Sequence, residues 1–268
     1  MKDMDSDRWI RPAAVAGRFY PSDPVELRET VETMLRSAGS AKCHDPQALI
    51  APHAGYIYSG PVAASAYVCW KGLAAPPKRV VLIGPAHFLE VRGVAASSAS
   101  GFKTPLGTVP VDRESVENLV AQGLVAISDE AHLREHSLEV QLPFLQIVVP
   151  GFRIIPLLAG QVDKDTIARV IKQLWNEETR FVISSDLTHY SDYATAHRMD
   201  RQTADAIEAL EPEKIRPEQA CGRESICGLV EAARAARLTS GTLDLRSSGD
   251  TAGSRDQVVG YGAFAFYR

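Results

Sequence analysis

The sequence predicts an α/β protein organised on a largely parallel sheet, and three observations carry that expectation. Short apolar runs, Ala48-Leu-Ile-Ala51, Val80-Val-Leu-Ile83 and Phe181-Val-Ile183, recur along the chain and are closed by proline, glycine or serine. Too short for helices and apolar throughout, they read as strands buried on both faces. Much of the chain between and around them carries the i, i+3, i+4 spacing of amphipathic helices. Each run also leads to a histidine, His53, His87 or His189, the last preceded by Asp186. Ligands of open α/β sheets bind beyond the carboxyl ends of the strands. Neighbouring strands lie ~4.8 Å apart, so the three exits point to one shared site.

The elements follow in order. Residues 1–8 are polar and acidic and read as a loose tail, and Arg11 to Pro21 as an irregular segment hugging the surface. Ser22-Asp-Pro24 suits a helix start, with Leu27, Val31, Met34 and Leu35 on one face. The first strand ends at His53. Gly55 to Gly60 reads as a loop, and Pro61 to Trp70 as a small-residue helix completing a βαβ unit into strand 79–84. From Val91 to Asp112 small and β-forming residues alternate around a Thr104-Pro-Leu-Gly107 turn, which predicts an antiparallel excursion. Glu114 to Gln122 is a helix stopped by Gly123, and a helix is expected from near Glu135 toward Val149. Phe152 to Leu158 is a strand, Asp163 to Trp175 an amphipathic helix, and 181–185 the third histidine-bearing strand. Ala194 to Leu210 and Ser225 to Leu238 are helical by periodicity, and Val258 to Tyr267 closes the sheet.

With 268 residues, 45% hydrophobic and 23% charged, the chain is an ordinary globular composition able to bury a sizeable core, and a single domain over 1–268 is expected. A net charge of -4 gives no support for a nucleic-acid surface. No apolar stretch approaches the ~20 residues of a membrane span, and the N-terminus lacks a signal-peptide core. Four cysteines without close pairing suggest reduced thiols and a cytoplasmic protein.

Imidazole is the commonest protein ligand for zinc, copper and iron, and a catalytic centre uses three protein donors and one open position. His53 and His87 are the natural pair. A third ligand has to come from Asp186, His189, Glu139, His136 or a cysteine. A single histidine is more often a core residue bonded to backbone, but three at similar strand exits favour a site. One rival pattern is His132-Leu-Arg-Glu-His136, which matches the inverted zinc-protease form H-x-x-E-H. Against it, the helix expected here begins near these residues instead of running through them. No G-x-S-x-G elbow, Walker A or G-x-G-x-x-G sequence is present. Ser184-Ser185-Asp186 suits a cap or turn, Cys221 and Cys227 lack zinc-knuckle spacing, Cys43-His44 sits in a polar loop, and Cys69 suits packing.

Six phrases follow in one order: Ala51-Pro-His-Ala-Gly-Tyr56 with Ser59-Gly60, Gly84-Pro-Ala-His87, Thr104-Pro-Leu-Gly107, Glu135-His-Ser-Leu-Glu139 with Leu142-Pro-Phe144, Ser184-Ser-Asp186 with His189, and Cys221-Gly-Arg223. Together they resemble the Memo family, whose microbial members are named AmmeMemoRadiSam system protein B. The resemblance runs from Arg11 nearly to the C-terminus. It implies the fold of the class III extradiol dioxygenases, a three-layer α/β/α sandwich with a largely parallel or mixed central sheet. It also implies a metal site of His53, His87 and Cys221, with Asp186, His189 and His136 lining the cleft as acid/base candidates. The metal would be iron or copper, with zinc an alternative. A thiolate in place of the usual carboxylate departs from the facial triad of non-haem iron oxygenases, so the shared scaffold does not carry extradiol ring cleavage over with it.

Two functions follow from this reading. One is metal-dependent redox or dioxygenase-like chemistry on an unknown small molecule, with radical SAM and AMMECR-type proteins as the partners implied by the family name. The other is a non-enzymatic module whose cleft holds a peptide or partner, without nucleic acid or membrane. Memo relatives outside bacteria and archaea are described as binding phosphotyrosine peptides, a role for which this sequence offers no arginine cluster. The zinc-peptidase pattern stands as a third, remote from the three strand-end histidines.

Overall fold

A computed structural model describes residues 9–40 and 45–268. The expected loose tail and Cys43-His44 lie outside the described residues. Strand β1 (Ile10–Arg11) is followed by helix α1 (Pro24–Ser37), whose Asp23 cap accepts from the Val25 and Glu26 N–H groups with proline in the first turn. Strand β2 (Ala48–Ala51) leads through α2 (Tyr56–Tyr67) to β3 (Arg79–Pro85). The excursion comprises β4 (Val94–Ala96), β5 (Gly101–Thr104) and β6 (Gly107–Pro110), and Gly107 turns the β5–β6 hairpin at φ 120°. Then come α3 (Arg113–Ala121), β7 (Ala126–Ile127), α4 (Asp129–Leu133) and α5 (Leu142–Val148). The remainder is β8 (Arg153–Ala159), α6 (Lys164–Leu174), β9 (Thr179–Ser184), β10 (His189–Ser191), α7 (Tyr193–Glu208), α8 (Arg223–Ala235), β11 (Thr239–Ser247) and β12 (Val258–Tyr267).

The central sheet runs β10-β12-β2-β9-β3-β8-β4-β7, with β11 on the outer side of β12. Its middle, β2-β9-β3-β8, is parallel, and these strands are buried almost end to end, as their continuous apolar runs require. The crossover β2–α2–β3 moves across the sheet in one direction and β8–α6–β9 in the other. Right-handed crossovers of opposite direction place their helices on opposite faces. Helices α1, α2 and α5 pack together, as do α6 and α8. The fold is a three-layer α/β/α sandwich on a mixed sheet. A smaller sheet, β1-β5-β6, flanks it.

Four expectations change. Helix α2 begins at Tyr56, inside the stretch expected as a loop, and carries Pro61 within it. Strand β12 does not close the sheet. It lies between β2 and β11, forming an antiparallel hairpin with a strand whose alternation of threonine, serine and glycine gives little apolar signal. The helix expected from Glu135 starts only at Leu142, after a single tight turn at Glu139–Gln141. The backbone N–H groups of His136 and Ser137 donate to the Glu135 carboxylate at 2.9 and 3.0 Å, a local alternative to helical bonding. Finally, Cys69 is disulfide-bonded while Cys221 and Cys227 are free, so uniformly reduced thiols, one ground for expecting a cytoplasmic location, do not hold. No helix among the described residues is long and apolar enough to cross a membrane.

Candidate metal centre

Register explains why distant residues meet. Ala51 of β2 pairs with Ser184 of β9, and Ile83 of β3 with Ile183, so the three strands end level with one another. His53, His87 and Asp186 each lie two residues past a strand end. β9 stands between the two histidine strands, and the turns that follow bring the His53 and His87 rings to a centroid separation of 5.2 Å. The third imidazole is His136, from the irregular segment between α4 and α5. One ring nitrogen from each of His53, His87 and His136 lies within 4.8 Å of the others. The rings of His87 and His136 stack at 4.8 Å. A β-carbon on Gly84 would meet Leu138 at 2.9 Å and the Ser137 Oγ at 3.0 Å, so glycine at the end of β3 is what lets this segment close over the strand.

His189 has a different place. It starts the short strand β10, is exposed, and its ring Nδ1 lies 2.8 Å from the Leu187 carbonyl. The third strand therefore sends Asp186, not its histidine, toward the cluster: the carboxylate accepts from the His53 backbone N–H at 2.7 Å. His132 of the H-x-x-E-H pattern is buried on short α4, with Nε2 3.1 Å from the Ala95 carbonyl, and does not join the group. The pattern thus splits, with Glu135 and His136 at the cluster and His132 in the core. Glu139, once a possible ligand, has both carboxylate oxygens occupied by Arg11, Tyr20 and the backbone N–H groups of Ala14 and Val15.

The hydrogen bonds select tautomers. Ser184 Oγ donates to the Ser137 carbonyl at 2.6 Å and accepts from Gln141 Nε2 at 2.8 Å. What it offers His53 Nδ1, 2.9 Å away, is a lone pair, so Nδ1 carries the proton and Nε2 is free to coordinate. His87 Nδ1 faces Glu135 Oε1 at 3.0 Å with the same result. Glu135 also accepts from the His87 backbone N–H at 2.5 Å. His136 Nδ1 is 3.2 Å from that carboxylate but lacks hydrogen-bond alignment, so the contact is electrostatic only. A carboxylate or hydroxyl behind a ligating imidazole is the usual way of fixing its ring and raising its basicity.

Burial pushes the His53 imidazole down to about 4, against the opposing pull of Asp186, so the ring is neutral at physiological pH. Burial would raise the Glu135 carboxyl, but its contacts with His136 and His87 outweigh that and hold it well below the carboxylate range. Cys221 lies just before α8, with its Sγ 3.4 Å from His53 Nε2 and 3.7 Å from Ser185 Oγ. Burial, then Asp186, push its thiol up to about 12. The thiol is thus protonated at neutral pH, with its S–H in reach of both the free lone pair of His53 and the Asp186 carbonyl, 3.6 Å away. The Gly222 N–H donates to Ser185 Oγ at 2.9 Å, and a β-carbon there would meet Ser185 at 2.8 Å, so the Cys-Gly pair is needed for this approach.

The fold and site together define an α/β/α protein with a cluster of three imidazoles at the carboxyl ends of its parallel strands, within metal-binding distance. Residues 11–265 match the family described as Memo-like protein. A MEMO1 family protein of Aeropyrum pernix is 39% identical over 95% of this chain and 98% of its own length. Those of Aquifex aeolicus and Thermotoga maritima are 36% and 35% identical, each over 94% of this chain and 97% of their own. The chain belongs to the Memo family.

Proposed function

We propose that the chain holds a redox metal ion, iron or copper with zinc as the alternative, between His53 and His87, and performs metal-dependent redox or dioxygenase-like chemistry on a small molecule bound over the cluster. The observation that supports this is the pair of fixed tautomers: both Nδ1 protons are bonded away from the cluster, leaving Nε2 lone pairs available within it. Cys221 and His136 are the candidates for the third donor. A thiolate favours a soft or redox-active metal, and a third imidazole suits the same metals. When bound, such a metal would supply electron transfer and oxygen activation. The residues around it have separate tasks. Ser184 and Glu135 hold the two rings, Asp186 fixes the His53 backbone, and the Cys221 proton must leave before its sulfur can coordinate. Asp186, and His136 where Cys221 is the third donor, are placed to exchange a proton with a bound molecule. The radical SAM and AMMECR-type partners implied by the family resemblance would meet the protein at this cleft.

Metal analysis of anaerobically purified protein, beside His53→Ala and Cys221→Ala, tests the reading. Near-stoichiometric iron or copper, lost with His53→Ala, is expected. Loss with Cys221→Ala makes the sulfur the third donor, whereas retention assigns that position to His136. A second reading is favoured by the exposed side chains Phe88 and Tyr190, 54% and 72% exposed, of which Phe88 abuts His136 at 5.8 Å. On that reading the cleft binds a peptide or partner without metal. Wild-type protein that takes up no metal on titration, yet binds a partner, would replace the first reading with the second.

A further inference from the structure

We propose that Arg11 and Glu139 are positioning residues for the third imidazole, acting through the segment that carries His136; the proposal rests on the metal reading above for its principal test. His136 sits between α4, which ends at Leu133, and the regular helix that resumes at Leu142, on a stretch whose own backbone bonds are isolated turns. These are Glu135 N–H to the His132 carbonyl at 3.3 Å, Val140 N–H to the His136 carbonyl at 3.1 Å and Gln141 N–H to the Leu138 carbonyl at 3.2 Å. Buried carbonyls in such a stretch need donors from elsewhere. Arg11 supplies them. Its guanidinium is fully buried, donates from Nε to the His132 carbonyl at 2.9 Å and from Nη2 to the Glu135 carbonyl, and pairs through Nη1 with the equally buried Glu139. The three contacts bracket His136 on both sides.

Glu139 extends the clamp. Its carboxylate accepts from the backbone N–H groups of Ala14 and Val15 at 2.8 and 3.0 Å and from the Tyr20 hydroxyl at 2.5 Å. Residues 11–20, part of the stretch expected as an irregular segment hugging the surface, are thereby fastened to the ligand loop. At their far end the Phe19 carbonyl accepts from the Tyr56 N–H at 2.8 Å, and the Phe19 ring packs on His136 at 4.8 Å. One side of the third imidazole is thus a wall fixed at both ends. A hydrophobic pair of similar volume could fill the same space, as buried ion pairs often permit, but it could not bond two loop carbonyls and two strap amides at once. That fixing of direction is the role assigned here.

Co2+ titration followed by its visible ligand-field bands provides the test, because those bands report donor number and geometry. Breaking a buried pair on one side leaves an uncompensated charge, so the variant of choice is the doubly neutral Arg11→Met/Glu139→Gln, with Tyr20→Phe as a milder companion. Folding is checked by circular dichroism. The expected result is Co2+ affinity lowered by about tenfold or more, with altered bands. His136→Ala should add little in the double-variant background while costing as much in the wild type. Unchanged bands and affinity, or a His136→Ala effect of equal size in both backgrounds, would overturn the proposal even if thermal stability falls. If wild-type protein takes up no Co2+ the metal reading fails by itself, and the clamp is then judged from the His136 ring resonances of the metal-free protein. Displaced resonances in the double variant support it, and identical ones overturn it.

Discussion

The two ends of the parallel sheet have opposite characters. At the amino ends of β3 and β8 lies a cleft of about 850 Å3, lined among others by Lys78, Arg79, Asp112, Arg113, Arg153 and Glu178. Its charges largely satisfy one another: Lys78 with Glu178 at 2.5 Å, Arg79 with Glu178 at 3.5 Å and with Asp112 at 3.8 Å. At the carboxyl ends the chemistry is unspent. The His53 and His87 rings there have one nitrogen tied and one free, and a buried thiol keeps its proton. Volume and charge mark the first end, whereas directed lone pairs mark the second. A reactive site needs the latter, because paired surface charges in water contribute little to binding or stability.

The largest effect expected is at the ligands. His53→Ala and His87→Ala should abolish stoichiometric metal uptake, measured by elemental analysis, whereas an alanine at Arg153 should leave it intact; equal losses at both ends would dissolve the contrast. Next is the support behind the rings. Glu135→Gln replaces an acceptor of four bonds by an amide and should weaken metal binding about 10–100-fold, read by competition with a chelator.

The pH response comes third. His53 and His132 are held by burial at about 4 against an ordinary 6.5. Between those values the unfolded chain binds protons that the folded chain refuses, so stability is lost as pH falls from 6.5 to 4, by at most roughly 3 kcal/mol for each ring. Asp200 opposes this. Burial raises its carboxyl from 3.8 to about 6, so the folded chain gains there on acidification. Chemical denaturation at both ends of this window should show a net loss, and a gain would reverse the assignment of neutral imidazoles. Smallest of all, Lys78→Ala in the amino-end cleft should change metal affinity by less than about twofold, consistent with a screened surface pair.

Much of this contrast was legible in the sequence. The runs 48–51, 80–83 and 181–183 are strands because continuous apolar residues have no exposed face to occupy, and their exits at His53, His87 and Asp186 followed from the fold class. His136 appeared only as one of several candidates for the third ligand, because its position depends on an irregular turn wrapped around Glu135 and no periodicity signals such a turn. His189 misled for the opposite reason. It follows the same kind of strand, but the chain turns into an edge strand before reaching it. Cys221 near His53 came only with the family resemblance, since nothing in a Cys-Gly-Arg phrase says which strand end it will meet. The strap at Arg11 was hidden altogether, because a buried guanidinium reads in sequence like any surface arginine.

The sequence distances spanned by the site also bear on how the protein comes into being. Arg11 meets Glu139 across 128 positions, and His53 meets Cys221 across 168. Contacts of such separation close late, because the loop entropy must be met before they return any stabilisation. On the ribosome the first strand and the strap wait, unpartnered, until most of the chain has emerged, exposing apolar edges meanwhile. The centre can therefore assemble only after synthesis has passed Cys221, and chaperone dependence and slow refolding should be sought in the step that docks the N-terminal strap.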